Sequence, residues 1–164
     1  MFNLLSKKYY YNKKEKIFGT IVKSSLQNKE FKSRKIVANK KYDNYLTEIS
    51  LHHSICVMDN TINKFIDLCP KNSIICDIGG GWGWHWRDIY KKRPDIKIVI
   101  VDFIFENLII ARKILKKRIN KQIFLVNEDC KKFFLEKNLF SGAWSVQTIQ
   151  HINNYKKVFK IFQI

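Results

Sequence analysis

The chain has 164 residues, enough for one ordinary domain and too few for two full ones. Hydrophobic residues make up 46% of it and aromatic residues 14%, so a packed core is expected and global disorder is excluded. The longest apolar run, from Ile96 to Phe105, is interrupted by Lys97 and Asp102 and is too short to span a bilayer. The first residues contain no signal-peptide core, so we expect a soluble cytoplasmic protein.

The formal net charge of +17 points to an anionic partner, but the charge is unevenly distributed. Residues 1–41 carry twelve basic and two acidic residues, a net charge of +10, whereas the other 123 residues carry +7. Only five of the 31 basic residues are Arg, which specific nucleic-acid readout prefers. We predict a basic N-terminal arm over residues 1–41, interpreted as a flexible or partly helical tail, and one domain over residues 42–164. A nucleic-acid partner is left open but is not favoured.

Helical and strand patterns alternate beyond the arm. Apolar residues three and four positions apart predict a helix from Tyr42 to Leu68, which Pro70 ends. The predicted elements that follow are strand 73–78, helix 84–92, strand 97–101, helix 105–118, strand 123–126, helix 131–137, strand 142–147 and helix 154–162. Short buried strands that alternate with helices predict an α/β fold, with a parallel sheet and helices on both of its faces.

The main chemical signal is the segment IICDIGGGWGWHW, in which an apolar strand runs through Asp77 into a glycine-rich turn. Such a turn before a helix lets a ligand approach the backbone closely and offers free amides to an anionic group. A dinucleotide fingerprint would place Trp84 or Trp86 where a small residue is needed, and no P-loop Lys-Ser or Lys-Thr follows the glycines. The remaining pattern is Asp77, Gly79, Gly81 and Gly83.

This pattern resembles the first motif of the class I S-adenosylmethionine (SAM)-dependent methyltransferases, and further matches follow in order. The resemblance implies a Rossmann-like sheet with strand order 3-2-1-4 and a SAM site. Asp102 ends the second strand, where the family places an acid on the ribose hydroxyls, and Phe103 would pack on the adenine. Asp129 and the backbone of Cys130, after the third strand, would contact the adenine edge. Asp102 and Asp129 could instead cap the helices that follow them.

The segment FSGAWSVQTIQHI resembles the fourth-strand motif of small-molecule methyltransferases. There Trp144, Ser145 and Gln147 would approach the sulfonium end of the cofactor. His151 is a weak candidate for a general base, and it could equally be an ordinary polar residue at a strand end. No cysteine pair has the close spacing of a zinc knuckle, so no metal site is predicted.

The chain ends soon after the fourth strand, whereas the family sheet usually has seven strands. We therefore expect an incomplete domain without the family's C-terminal strands, and an exposed edge strand through which the chain self-associates. The favoured function is methyl transfer from SAM to a small-molecule acceptor. The alternatives are a non-catalytic SAM- or RNA-binding module, supported by the basic arm, and an NAD- or nucleotide-binding protein.

Overall fold

A computed structural model describes residues 1–19, 55–133, 135–136 and 138–159, and the single positions Lys32, Ile36, Thr47 and Ser50. The described strands form one six-stranded sheet in the order β1-β2-β5-β4-β3-β6. They are β1 Tyr11–Asn12, β2 Ile17–Gly19, β3 Ile74–Ile78, β4 Lys97–Asp102, β5 Ile123–Asn127 and β6 Gly142–Trp144. All neighbouring pairs are parallel except β1 and β2.

β3, β4, β5 and β6 are the first to fourth strands that the sequence predicts. Their spatial order, β5-β4-β3-β6, confirms the predicted parallel sheet with strand order 3-2-1-4. Their positions could be predicted because both faces are covered, which makes each inner strand an uninterrupted apolar run. Ile98 and Ile100 of β4 face one core cluster, while Val99 and Val101 face the other. The fourth strand is shorter than predicted: it ends at Trp144, and Gln147 has a left-handed φ of 52°.

Residues 1–19 supply two strands of this sheet and a helix that packs on it, so the prediction of a tail is wrong for them. β2 pairs in parallel with β5, and β1 folds back on β2. Phe18 and Leu5 are fully buried in the core on one face of the sheet. These strands could not be predicted from the sequence, because β2 has only three buried residues and they lie within a strongly basic segment. The predicted boundary between residues 41 and 42 lies outside the described residues.

Helices cover both faces of the sheet, as predicted. The described helices are α1 Phe2–Lys8, α2 Ile55–Leu68, α3 Ile89–Lys92, α4 Phe105–Leu115 and α5 Lys156–Phe159. Ile66 of α2 and Leu108 of α4 pack on one face, and Leu5 of α1 and Val158 of α5 pack on the other. None of the helices in the described part of the chain combines the length and apolar character that a bilayer crossing requires.

Three of the predicted helices differ in the structure. The stretch 84–92 is a 3₁₀ turn over Trp84–Trp86 followed by α3, and α4 ends at Leu115 before a second 3₁₀ turn. The helix over 131–137 is wrong for the residues described there. The amides of Lys132 and Phe133 close one turn on the carbonyl of Asp129, and Phe133 and Leu135 are then buried in the same cluster. Burial at a spacing of two favours extended chain over helix.

Candidate cofactor-binding site

The glycine turn joins β3 to the 3₁₀ turn at the carboxyl end of the sheet. Gly79, Gly81 and Gly83 all have left-handed φ angles, between 55° and 65°. A side chain on Gly83 would meet Ile100 and Leu115 at 2.8 Å, so this glycine allows the turn to pack on the core. Gly81 differs, because a Cβ there would have no heavy atom closer than 4.0 Å. This side of Gly81 is therefore open relative to the other two glycines, and a ligand can approach the backbone there.

Asp102 lies beside this open glycine, at the end of the neighbouring strand β4. The amide of Gly81 donates to Oδ2 of Asp102 at 2.9 Å, and the amide of Ile104 donates to Oδ1 at 2.7 Å. The carboxylate thus closes the turn before α4 and also reaches across to the glycine turn. Both oxygens of the carboxylate are therefore hydrogen-bonded to backbone amides. Both sequence interpretations of Asp102, a helix-terminal role and a place at the ligand site, are compatible with this geometry.

Two side chains near Asp102 were missed by the sequence analysis. Asn107, in the first turn of α4, lies with Nδ2 3.4 Å from Oδ1 of Asp102 and accepts a 3.0 Å hydrogen bond from the indole of Trp82. The Trp82 side chain is buried within the glycine turn. Asn107 could have been predicted from its spacing, since an Asn five residues after the strand-end Asp102 lies in the first helical turn, close to that acid.

Asp77 is buried beneath the turn and does not border the open space. Its Oδ2 accepts a 2.7 Å hydrogen bond from the indole of Trp86, and both residues are almost completely buried. Burial raises the pKa of Asp77 to about 7; the Trp86 hydrogen bond opposes that rise and Asp102 adds to it. A Cβ on Gly80 would lie 2.2 Å from this carboxylate, so Asp77 and Trp86 support the turn from below.

Asp129 and Cys130 follow β5, next to β4. The structure places Asp129 in a tight turn, where Oδ1 accepts from the amide of Lys131 at 2.9 Å and Oδ2 lies 3.6 Å from its ammonium group. Burial, with the adjacent Asp129, raises the pKa of the Cys130 thiol to about 12, so this thiol stays protonated at neutral pH. The amide of Glu128 donates to the Asp102 carbonyl, which brings the ends of β4 and β5 together.

The residues after β6 approach the turn through their hydroxyl groups. Ser145 donates to the Ile78 carbonyl at 3.0 Å, and Thr148 donates to the Gly79 carbonyl at 3.1 Å. Thr148 was missed by the sequence analysis. Gln147 is exposed, and His151 is exposed beside Gln150 with 3.2 Å between Nε2 atoms.

Trp144 lies apart from these groups, on the face of the sheet that carries α2. Its ring packs against Phe65, His85 and Trp86, with centroid distances of 5.1 to 6.3 Å. Its indole Nε1 is buried without a hydrogen-bond partner, and so is Nδ1 of His85, among the residues the structure describes. Burial, aided by Arg87, lowers the pKa of His85 and favours the neutral ring. Trp144 therefore belongs to an aromatic cluster in the core.

The strand ends bring together Gly79, Gly81, Asp102 and Asp129, with Phe103 half-buried next to Asp102. Of the acidic side chains at this end, Asp129 is paired with Lys131, whereas Asp102 and Glu128 favour a ligand that carries positive charge. No cluster of three or more residues suited to holding a metal ion occurs in the described ranges. The arrangement suits a cationic ligand with hydroxyl groups that donate to a carboxylate.

A model of the family described as "Methyltransferase domain" matches residues 76–163. Among solved structures, the chain is similar to phosphoethanolamine N-methyltransferase 2 of Haemonchus contortus bound to SAM, with 25% identity and a TM-score of 0.52. This match covers 62% of the chain and 23% of that enzyme. No curated protein matches the chain by sequence.

Two further structures share the fold. A Methanococcus maripaludis protein assigned as a SAM-dependent methyltransferase is 20% identical with a TM-score of 0.54, over 86% of the chain and 59% of that protein. A SAM-dependent methyltransferase of Geobacter sulfurreducens, bound to S-adenosyl-L-homocysteine, is 12% identical with a TM-score of 0.51, over 64% and 43%. The chain thus spans less than two thirds of the length of these structures. Because the family model matches more than half of the chain, the protein belongs to the methyltransferase domain family, which confirms its resemblance to the class I SAM-dependent methyltransferases.

Proposed function

We propose that the chain binds SAM at the glycine turn and transfers its methyl group to a small-molecule acceptor. The observation that carries this proposal is the bridge between Gly81 and Asp102. An open glycine and a strand-end carboxylate are joined by a 2.9 Å hydrogen bond at the carboxyl ends of adjacent strands. In open parallel sheets ligands bind in the crevice outside the carboxyl ends of the strands.

The residues present fit this cofactor. The open face of Gly81 leaves room where a side chain would otherwise project, and the adjacent Asp102 carboxylate is the proposed acceptor for the ribose hydroxyls. Phe103, Asp129 and the backbone of Cys130 are proposed to hold the adenine. Asp77 is proposed to support the glycine turn rather than to contact SAM, because its carboxylate accepts a hydrogen bond from the buried Trp86 indole. Ser145 and Gln147 are proposed for the sulfonium end, whereas Trp144 is withdrawn because it packs in the core.

Bound SAM supplies a methyl group on a positively charged sulfur, which is an electrophile for in-line displacement. The chain's own contribution is to bind and align the reactants, and alignment of this kind accelerates bimolecular steps strongly. A general base is not essential when the leaving group starts as a cation. His151 therefore stays a weak candidate.

Calorimetry on the purified chain tests cofactor binding directly. We expect binding of SAM and S-adenosylhomocysteine and no binding of NAD. Asp102→Ala should weaken SAM binding by roughly 1.5–3 kcal/mol, because it removes hydrogen bonds to a charged group. Asp67→Ala is the control, since Asp67 is exposed on α2. Preference for NAD, or unchanged SAM affinity in Asp102→Ala, would contradict the proposed site.

A methyl-transfer assay separates the enzyme from a non-catalytic SAM-binding module. The Haemonchus enzyme has also been solved with phosphomonomethylethanolamine and S-adenosylhomocysteine, so small primary and secondary amines are sensible first acceptors. The labelled methyl group of SAM should appear on an acceptor. If the chain binds SAM but transfers no methyl group to any of a broad panel of acceptors, a non-catalytic SAM-binding module would be favoured.

Self-association through β6 is part of the proposal. β6 is the edge of the sheet in the described part of the chain, and Val146 just beyond it is exposed. Exposed edges pair readily with other strands. Light scattering should therefore show a mass above that of one chain, and a stable monomer over a wide concentration range would refute this part.

A further inference from the structure

The fold gathers basic side chains from separate stretches of sequence at the end of the sheet opposite the candidate cofactor site. This amino-end surface consists of Lys16, Lys97, Lys116, Lys117, Arg118 and Lys121. All five lysines are exposed, and Arg118 is half-buried. Lys16 immediately precedes β2, Lys97 begins β4 and Lys121 lies two residues before β5. Parallel pairing places Lys97 and Lys121 together at the starting ends of β4 and β5. Lys16 lies further along, because Phe18 pairs with Val126, and it joins the surface through the β1–β2 turn, whose Glu15 pairs with Arg112 of α4.

Hydrogen bonds between the segments confirm that these residues share one surface. The β1–β2 turn is held to the end of α4 by Arg112, which pairs with Glu15 at 2.9 Å. The amide of Lys121 donates to the Arg118 carbonyl at 3.1 Å. The amide of Ile98, next to Lys97, donates to the carbonyl of Gln122, next to Lys121, at 2.9 Å. The basic patch is therefore continuous from the first hairpin to β4.

Nearby acidic groups do not neutralise this surface. Glu15 is paired with Arg112, and Asp95 is paired with Arg93 at 2.8 Å. None of the six basic residues of the amino-end surface forms an ion pair among the described contacts. The acids at the opposite end, Asp102 and Asp129, lie beyond the length of the strands. Within the described residues, the amino-end surface therefore presents six basic side chains without an acidic partner.

The surface also carries a flat cationic group that suits an unpaired base. The guanidinium carbon of Arg118 lies over the Tyr90 ring, 3.6 Å from its centroid. Stacked guanidinium and aromatic groups are common platforms for the bases of single-stranded RNA. An anionic membrane is less well matched, because Leu68 is the one large apolar side chain exposed near this end in the described residues.

We propose that the amino-end surface binds single-stranded RNA through its phosphate backbone. Five lysines against one arginine favour charge attraction over base-specific hydrogen bonds, so binding is independent of sequence. The surface is at the opposite end of the strands from Gly81 and Asp102, so RNA and SAM bind without excluding each other. This inference does not depend on the proposed methyl transfer.

Fluorescence anisotropy with a labelled 20-nucleotide oligouridine tests the proposal on the full chain. The test variant carries Lys116→Gln, Lys117→Gln and Lys121→Gln. The control carries Lys7→Gln, Lys132→Gln and Lys156→Gln, which remove the same charge from exposed positions outside the surface. All six side chains are exposed, so urea unfolding should be alike in both variants and the parent.

At about 100 mM salt we expect the test variant to bind oligouridine roughly tenfold to a hundredfold more weakly than the parent. The slope of log affinity against log salt concentration should fall in magnitude by about 2, since each lost phosphate contact lowers it by about 0.7. The control should bind within about twofold of the parent. Equal losses in the two triple variants would show that attraction depends on net charge alone and would overturn the site. Tighter binding to duplex DNA or to phosphatidylserine vesicles than to oligouridine would overturn the assignment to RNA.

Discussion

Replacement of Asp77 by Asn should change how the stability of the protein depends on pH. Asp77 is buried with Trp86 as its side-chain donor, and burial raises its pKa from 3.8 to about 7. An acid whose pKa is raised on folding binds protons more tightly in the folded state. The free energy of unfolding therefore falls as pH rises from about 4 to about 7. Asn keeps the shape and an acceptor for Trp86 but cannot ionise.

The size of the effect follows from the two pKa values. A shift of about 3 units corresponds to roughly 4 kcal/mol in total, of which about 2–3 kcal/mol falls between pH 5 and pH 8. The test is urea unfolding of the parent and Asp77→Asn at both pH values, because their difference cancels the other titrating groups. We expect Asp77→Asn to gain about 2–3 kcal/mol relative to the parent between pH 5 and pH 8. A parent that is more stable than Asp77→Asn by the same amount at both pH values would refute the reasoning.

Two further predictions concern buried aromatic side chains. Trp86→Phe should lower the free energy of unfolding by about 1.5–3 kcal/mol, because it removes a donor to a buried carboxylate. Trp144→Phe removes an unpartnered donor and should cost less than about 1 kcal/mol. Urea unfolding at pH 8 compares the two variants, and equal losses would contradict the hydrogen bond from Trp86 to Asp77. Phe18→Ala should lower the free energy of unfolding by about 3–5 kcal/mol, because the Phe18 side chain of β2 is fully buried in the core. Tyr10→Ala, at an exposed position, should leave it almost unchanged. A negligible loss in both variants would mean that residues 1–19 form a tail after all.

Much of the fold could be predicted from local patterns. The inner strands β3, β4 and β5 were placed to within a residue because burial on both faces leaves an apolar run bounded by polar residues. The glycine turn was predictable because the spacing of Gly79, Gly81 and Gly83 after an apolar strand is itself a local signal. Asp102 was predictable as a strand-end acid for the same reason. These features depend on residues that are close neighbours in sequence.

The tertiary structure decided what depends on distant residues. β2 is recognisable as a strand only because it pairs with β5, more than 100 residues later. The bond from Gly81 to Asp102 and the burial of Asp77 under Trp86 likewise join residues whose separate patterns do not specify each other. Lys97 and Lys121 come together because parallel pairing places the beginnings of β4 and β5 side by side, and the β1–β2 turn brings Lys16 towards them. Composition and periodicity record the environment of a residue along its own element, whereas pairing, hydrogen-bond partners and charge distribution arise only when the elements pack together.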